Sequence, residues 1–215
     1  MHVLTIAAQK GGSGKTTLAA SLAVAAAQAG EIVVGIDIDR QGSLSAWGSR
    51  RLQTRTDITF RPVEAAGLLA LIDRIRAHGR ATLCIVDTPG VFGDEVITAL
   101  QAATLCLLPV RPSILDVDAT RRTAQALHDL NQRHAFVLTQ VQAASLGRAR
   151  DAAEALVELG EVSPQVIGLR TDHLDAVLLG QGVTEWRPSG AAAKEISSLW
   201  DWLRTEALHT EMTGS

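Results

Sequence analysis

A doubly wound α/β fold, with a mostly parallel sheet of about seven or eight strands covered by helices on both faces, is the prediction from this sequence. Short apolar runs alternate with longer stretches of helical period, the pattern of strands joined by crossover helices. Three runs, IVVGID, TLCIVD and TLCLLPV, are apolar at odd and even positions alike, as central parallel strands covered on both faces must be. A further apolar run at the start of the chain, HVLTIAA, leads into a glycine-rich loop and then a helix, the order that a phosphate-binding turn requires.

Taken along the chain, a strand at 2–7 precedes that loop, and the helix at 15–29 stops at Gly30. A strand at 32–37, a short helix at 43–51, a strand at 57–61 and a helix at 65–78 follow. The next strand, 82–87, ends on Asp87, and a helix at 94–102 leads to the strand at 104–109. A long helix at 114–131, a strand at 134–139 and a helix at 146–159 stopped by Gly160 come next. The last strand is expected at 165–168, with a short helix at 172–179 behind it. The capped start SGAAAKEISSLW opens a final helix at 191–208. With 215 residues the chain suits one domain over 1–210, and residues 211–215 are expected to fray.

A formal net charge of −3 excludes a globally basic nucleic-acid binder and leaves room only for a local basic patch. Cys84 and Cys106 sit inside apolar runs, which reads as buried strand positions and not as ligands or a disulfide. The start, MHVLTIAA, has no charged region or cleavage site of a signal peptide, and no apolar run reaches the ~18 residues of a membrane span. A cytoplasmic, reducing location is expected.

The loop itself, AAQKGGSGKTTLA at residues 7–19, holds two of the three lysines in the chain. Backbone N–H groups of Gly11, Gly12, Ser13 and Gly14 can face a phosphate chain where the helix N-terminus adds its positive end, with Thr17 in the first turn. Lys15 would neutralise the β and γ oxygens and the Thr16 hydroxyl would coordinate Mg²⁺, the parts of a P-loop NTPase fold. Gln9 stands where the common pattern has glycine, so the match is to a variant, K-G-G-x-G-K-T-T. Lys10 is surplus to its own loop. It serves the surface, or a phosphoryl group in another subunit.

These residues resemble the deviant Walker A ATPases of the ParA/MinD family. GIDIDRQGSLSAW is similar to the second family motif, and CIVDTPG to the Walker B strand end. The resemblance implies that Lys10 reaches the nucleotide of the opposite subunit in an ATP-sandwich homodimer. It also implies that Asp39 orients or activates the attacking water, and that Asp39 and Asp87 hold Mg²⁺ with Thr16. Asp37 has a weaker claim. Arg40 stands where the family usually has proline, which removes a fixed φ beside Asp39, whereas Gln41 is retained. In LLPVRPSILDVDA, Pro109 and Pro112 are expected near the nucleotide and its base, and Asp116 or Asp118 near the base or the partner subunit. Hydrolysis is expected to be slow until a partner completes the site.

Among family members the chain looks closest to the small plasmid-partition ParA group. That implies non-specific DNA binding, nucleoid association and a small ParB- or ParG-like activator or cargo adaptor. Phosphate contacts require clustered cations, for which Arg121, Arg122, Arg148, Arg150, Arg170, Arg187 and Lys194 are the candidates. MinD-like relatives dock on membranes through a C-terminal amphipathic helix. Here the stripe Ile196, Leu199, Trp200, Leu203 and Ala207 is accompanied by Asp201, Glu206 and Glu211, so packing on the sheet is expected instead of stable membrane binding. Iron-protein relatives need loop cysteines, and dethiobiotin-synthetase relatives generally lack the second lysine; both fit less well.

Overall fold

The computed structural model describes residues 1–208. Seven strands form one sheet: β1 (His2–Ile6), β2 (Val33–Asp37), β3 (Thr59–Pro62), β4 (Leu83–Asp87), β5 (Leu105–Val110), β6 (His134–Leu138) and β7 (Glu161–Val162). Their order is β3-β2-β4-β1-β5-β6-β7 and every pairing is parallel. The connecting helices are α1 (Lys15–Gln28), α2 (Ser43–Arg51), α3 (Leu68–His78), α4 (Asp94–Gln101) and α5 (Ile114–Asp129). After these come α6 (Leu146–Val157), α7 (Thr171–Leu178), α8 (Val183–Trp186) and α9 (Ala191–Trp202).

Strand periodicity explains the two-sided burial. Leu83 and Ile85 of β4 face one layer together with Leu4, Ile6, Leu105 and Leu107, under α1, α2 and α7–α9. Cys84 and Val86 face the other layer. There α3 covers the β2/β4 half, and α4–α6 cover β5 and β6 through Leu108, Phe136 and Leu156. Both cysteines are free and fully covered, as expected from their runs, and burial pushes the Cys84 thiol up to about 11. The stripe Ile196, Leu199, Trp200 and Leu203 is sealed in the first layer against the alanine-rich α1, so α9 is a core helix.

Two expectations are corrected. The seventh strand is Glu161–Val162 and not 165–168, because Pro164 has no N–H with which to continue the ladder after Ser163 bonds Phe136. The chain regains β6 further on, where Ile167 donates to the Leu138 carbonyl and Val141 bridges Gly168. The last helix is α-helical only to Trp202, after which Leu203–Ala207 widens into a π turn. The frayed segment expected at 211–215 lies outside the described residues.

One polar group anchors the first layer. Arg51, at the end of α2, is fully buried and places its guanidinium 5.6 Å from the Trp47 ring centroid. It donates to both oxygens of Asp57 at 2.9 and 2.6 Å, to both of Glu185 at 2.9 Å, and to the Gly180 carbonyl at 3.2 Å. It thereby ties α2 to the α7–α8 turn.

Candidate nucleotide site

Parallel strands place their C-terminal ends, and hence the loops after β1, β2, β4, β5 and β6, on one edge of the sheet. Ligands bind at that edge of an open α/β sheet, where the strand order reverses around β1. The loop after β1 reaches α1 through Gly14 at φ 91°, a left-handed conformation that a side chain would strain. Close approach demands a second glycine: a Cβ on Gly90 would lie 3.1 Å from the Gly11 Cα. The helix start therefore carries free N–H groups with no side-chain cap of its own, the arrangement that receives an anion.

Lys15 is buried, which lowers its pKa, while the carboxylates of Asp87 and Asp39 counter that effect. Thr16 donates to Asp87 Oδ2 at 2.6 Å. Burial pushes the Asp87 carboxyl up to about 7, against the Thr16 hydrogen bond and Lys15, with Asp37 and Asp39 adding repulsion. Its Oδ1 is buried without a hydrogen-bond partner. A buried carboxylate in this condition beside a threonine hydroxyl fits a divalent cation. Thr16 and Asp87 would hold Mg²⁺, an ion that usually takes one or two protein ligands and keeps several waters; among the described residues no group of three or more His, Cys, Asp or Glu side chains could hold a metal.

Asp37 is spoken for: it accepts from the backbone N–H of Asp39 at 3.1 Å and of Ser45 at 2.7 Å, shaping the loop after β2. Asp39 beyond it is half-buried and accepts from the Gln41 N–H at 2.9 Å. Arg40, in place of proline, is exposed and pairs with Glu95 of α4 at 3.3 Å.

Lys10 points elsewhere. Its Nζ donates to the Leu115 carbonyl at 3.2 Å and lies 3.5 Å from Asp116 Oδ1, at the start of α5. Burial works against the Asp116 charge. Hydrogen bonds from Arg111 and Ser113, and the charges of Arg111 and Lys10, nevertheless hold it below the usual carboxylate range. Asp118, by contrast, is an exposed helix residue near Arg121.

Pro109 lies in β5 two residues beyond the last pairing with β1, where its missing N–H costs no ladder bond. It lines a recess with Gln9, Lys10 and Ser13, whereas Pro112 faces a separate groove between α5 and α6. A cavity of 280 Å³ lies on the other flank of the loop, and neither proline lines it. Thr17, Leu18, Gln140, Ile167, Leu169 and His173 are among its walls. The loop after β6 braces the phosphate loop: Thr139 donates to the Ser13 carbonyl at 3.0 Å and Gln140 to the Gly12 carbonyl at 2.6 Å. Gln140 pays for that reach with φ 55°. Sequence reasoning missed these residues, because an ordinary T-Q pair after a strand carries no motif. His173 is buried with neither ring nitrogen hydrogen-bonded, and burial lowers its pKa against the raising effect of Glu195 and Asp172.

The cations nominated for DNA do not form one patch. Arg121, Arg122, Arg148 and Arg150 lie on α5 and α6, on the layer opposite to that holding Arg170, Arg187 and Lys194. Several are spent internally: Arg121 on Asp118 at 3.6 Å, Arg150 on Glu154 at 3.0 Å, Arg170 on Glu195 at 2.6 Å and Arg187 on Asp172 at 3.2 Å. Arg148 donates to Ser145 Oγ at 3.0 Å.

A glycine-rich loop opening a helix at the switch point of a parallel sheet, with a buried lysine and a threonine–aspartate pair, defines a phosphate-loop nucleotide-binding protein. The chain belongs to the CobQ/CobB/MinD/ParA nucleotide binding domain family, whose model matches residues 4–181. It is 33% identical over 197 residues to the maintenance of carboxysome distribution protein A of Gloeobacter kilaueensis, covering 90% of this chain and 89% of the relative. A ParA protein of Rhizobium radiobacter is 29% identical over 150 residues, 67% of each chain. The solved ATP complex of a variant of McdA from Cyanothece superposes with a TM-score of 0.76 at 19% identity, covering 100% of this chain and 99% of that one. Among the described residues no helix is long and apolar enough to cross a membrane.

Proposed function

We propose that this protein is a ParA-type positioning ATPase: it binds ATP with Mg²⁺, dimerises across the two nucleotides, associates with DNA without sequence preference and releases it after hydrolysis. The observation that carries this reading is the divergence of the two loop lysines. Lys15 is buried in its own loop, while Lys10 leaves the loop and rests, 41% exposed, on α5. A cation held so loosely is free to meet a phosphate supplied by a facing subunit, where it would stabilise transition-state charge.

ATP and Mg²⁺ are its cofactors in this reading. Gly11, Gly12, Ser13 and Gly14 hold the phosphates with Lys15, and Thr17 borders the base in the 280 Å³ cavity. Thr16 and Asp87 would hold the metal, which supplies charge neutralisation at the β and γ oxygens. Asp39 sits where it can orient a water against the γ phosphorus. Its loop is held by the exposed Arg40–Glu95 pair, a weaker constraint than proline, which accords with slow turnover until an activator or cargo adaptor docks. The cargo is a plasmid, a chromosome or a large protein assembly; the carboxysome-distribution relative favours the last.

Asp39→Ala is the test. ATP should still bind and hydrolysis should fall by about 10²-fold or more, so that an ATP-loaded dimer accumulates on gel filtration. Turnover within twofold of the parent would remove Asp39 from this role.

A further inference from the structure

At the far end of the sheet from the nucleotide, a groove of 500 Å³ runs between the edge strand β3 and helix α3. Its floor is apolar, from Val33, Leu71 and Ile75, and its rim carries Arg61, Arg74, His78 and Arg80, all exposed. Asp57 is the one carboxylate lining it, and that group is already bound by the buried Arg51. Arg74 and Arg80 have no ion pair among the described residues, and Arg61 donates only to the neighbouring Phe60 carbonyl. Arg74 and His78, four residues apart on α3, share one face. The half-charge of the α3 C-terminus is small beside three guanidinium groups.

We propose that this β3–α3 groove grips the phosphate backbone of double-stranded DNA, an inference that rests on the DNA-binding part of the proposed function. The cations are on a rim and exposed, as suits a repeating polyanion more than a buried, singly charged ligand. The groove occupies the end of the sheet opposite the phosphate loop, so dimerisation across the nucleotides leaves it open. A two-fold dimer joined at the phosphate loops carries one such groove at each outer end, so each groove would grip its own stretch of duplex.

The test compares Arg74→Ala/Arg80→Ala with the parent, both loaded with ATP and Mg²⁺, by anisotropy of a labelled mixed-sequence duplex between about 50 and 200 mM salt. The double variant should bind roughly tenfold more weakly, and the slope of log affinity against log salt should flatten by about 2. Nucleotide affinity and DNA-free turnover should not move. The comparison variant Arg121→Ala/Arg122→Ala should keep the parental slope. If it loses that slope while Arg74→Ala/Arg80→Ala keeps it, DNA binding stands and the groove assignment falls. A parent that ignores DNA at 50 mM salt overturns both, and one that instead retains polyglutamate assigns the groove to an acidic protein partner.

Discussion

Lys15→Ala should abolish nucleotide binding and, with it, hydrolysis. Lys15 is 7% exposed, beside the Asp87 and Asp39 carboxylates. Without its charge, those acids would face the β and γ phosphates with only the metal between them. Losing a preorganised charge of this kind costs on the order of 10²–10³ in rate, and lost binding multiplies that deficit. The substitution also removes the cation that opposes burial at Asp87, whose carboxyl already stands at about 7. A fluorescent-nucleotide titration checks this; affinity and turnover within twofold of the parent would contradict the assignment of the loop.

Arg51→Ala should be the most damaging change away from the nucleotide. Its guanidinium is fully buried, and truncation leaves Glu185, 6% exposed, with only the half-exposed Arg55 at 3.4 Å as its cation. Breaking a buried pair by removing one partner costs about 3–5 kcal/mol, a large share of the ~5–15 kcal/mol that holds a domain together. Urea midpoints would show it, and a loss under about 1 kcal/mol would mean that the network adds little. Arg51→Met should be milder, since it keeps the packing on Trp47. The pair also has a pH signature. Hydrogen bonds from Arg51 outweigh burial and depress the Asp57 pKa. Its contribution is therefore present above the unfolded value of about 3.9 and is lost as pH falls through the lower folded value.

Much of this site was legible in the sequence because phosphate chemistry leaves local marks. Gly11 to Thr17 lie within one turn, and Asp87 ends an apolar strand, so spacing alone places them. The two-sided burial of β2, β4 and β5 was readable for the same reason. What spacing could not convey was contact between distant segments. Thr139 and Gln140 reach the loop across more than a hundred residues, and no period marks them. Pro112 followed the strand expected to approach the base, yet it turned into the α5–α6 groove. The sequence places candidate cations only along the chain, whereas Arg150, Arg170 and Arg187 have acidic partners that only the fold reveals. The last strand, Glu161–Val162, is too short to leave a period in the sequence, whereas the QVIG run that follows Pro164 is apolar without forming a strand.

Sedimentation of the parent and of Lys10→Ala, each with and without ATP and Mg²⁺, tests most directly whether ATP assembles a dimer in which Lys10 acts on the facing nucleotide. The parent should double its mass only with ATP, shifting towards the dimer that the nucleotide favours. Lys10→Ala should bind ATP yet stay monomeric or assemble without turnover. A parent that hydrolyses ATP as a monomer, or a variant that dimerises and hydrolyses as the parent does, would contradict that role of Lys10.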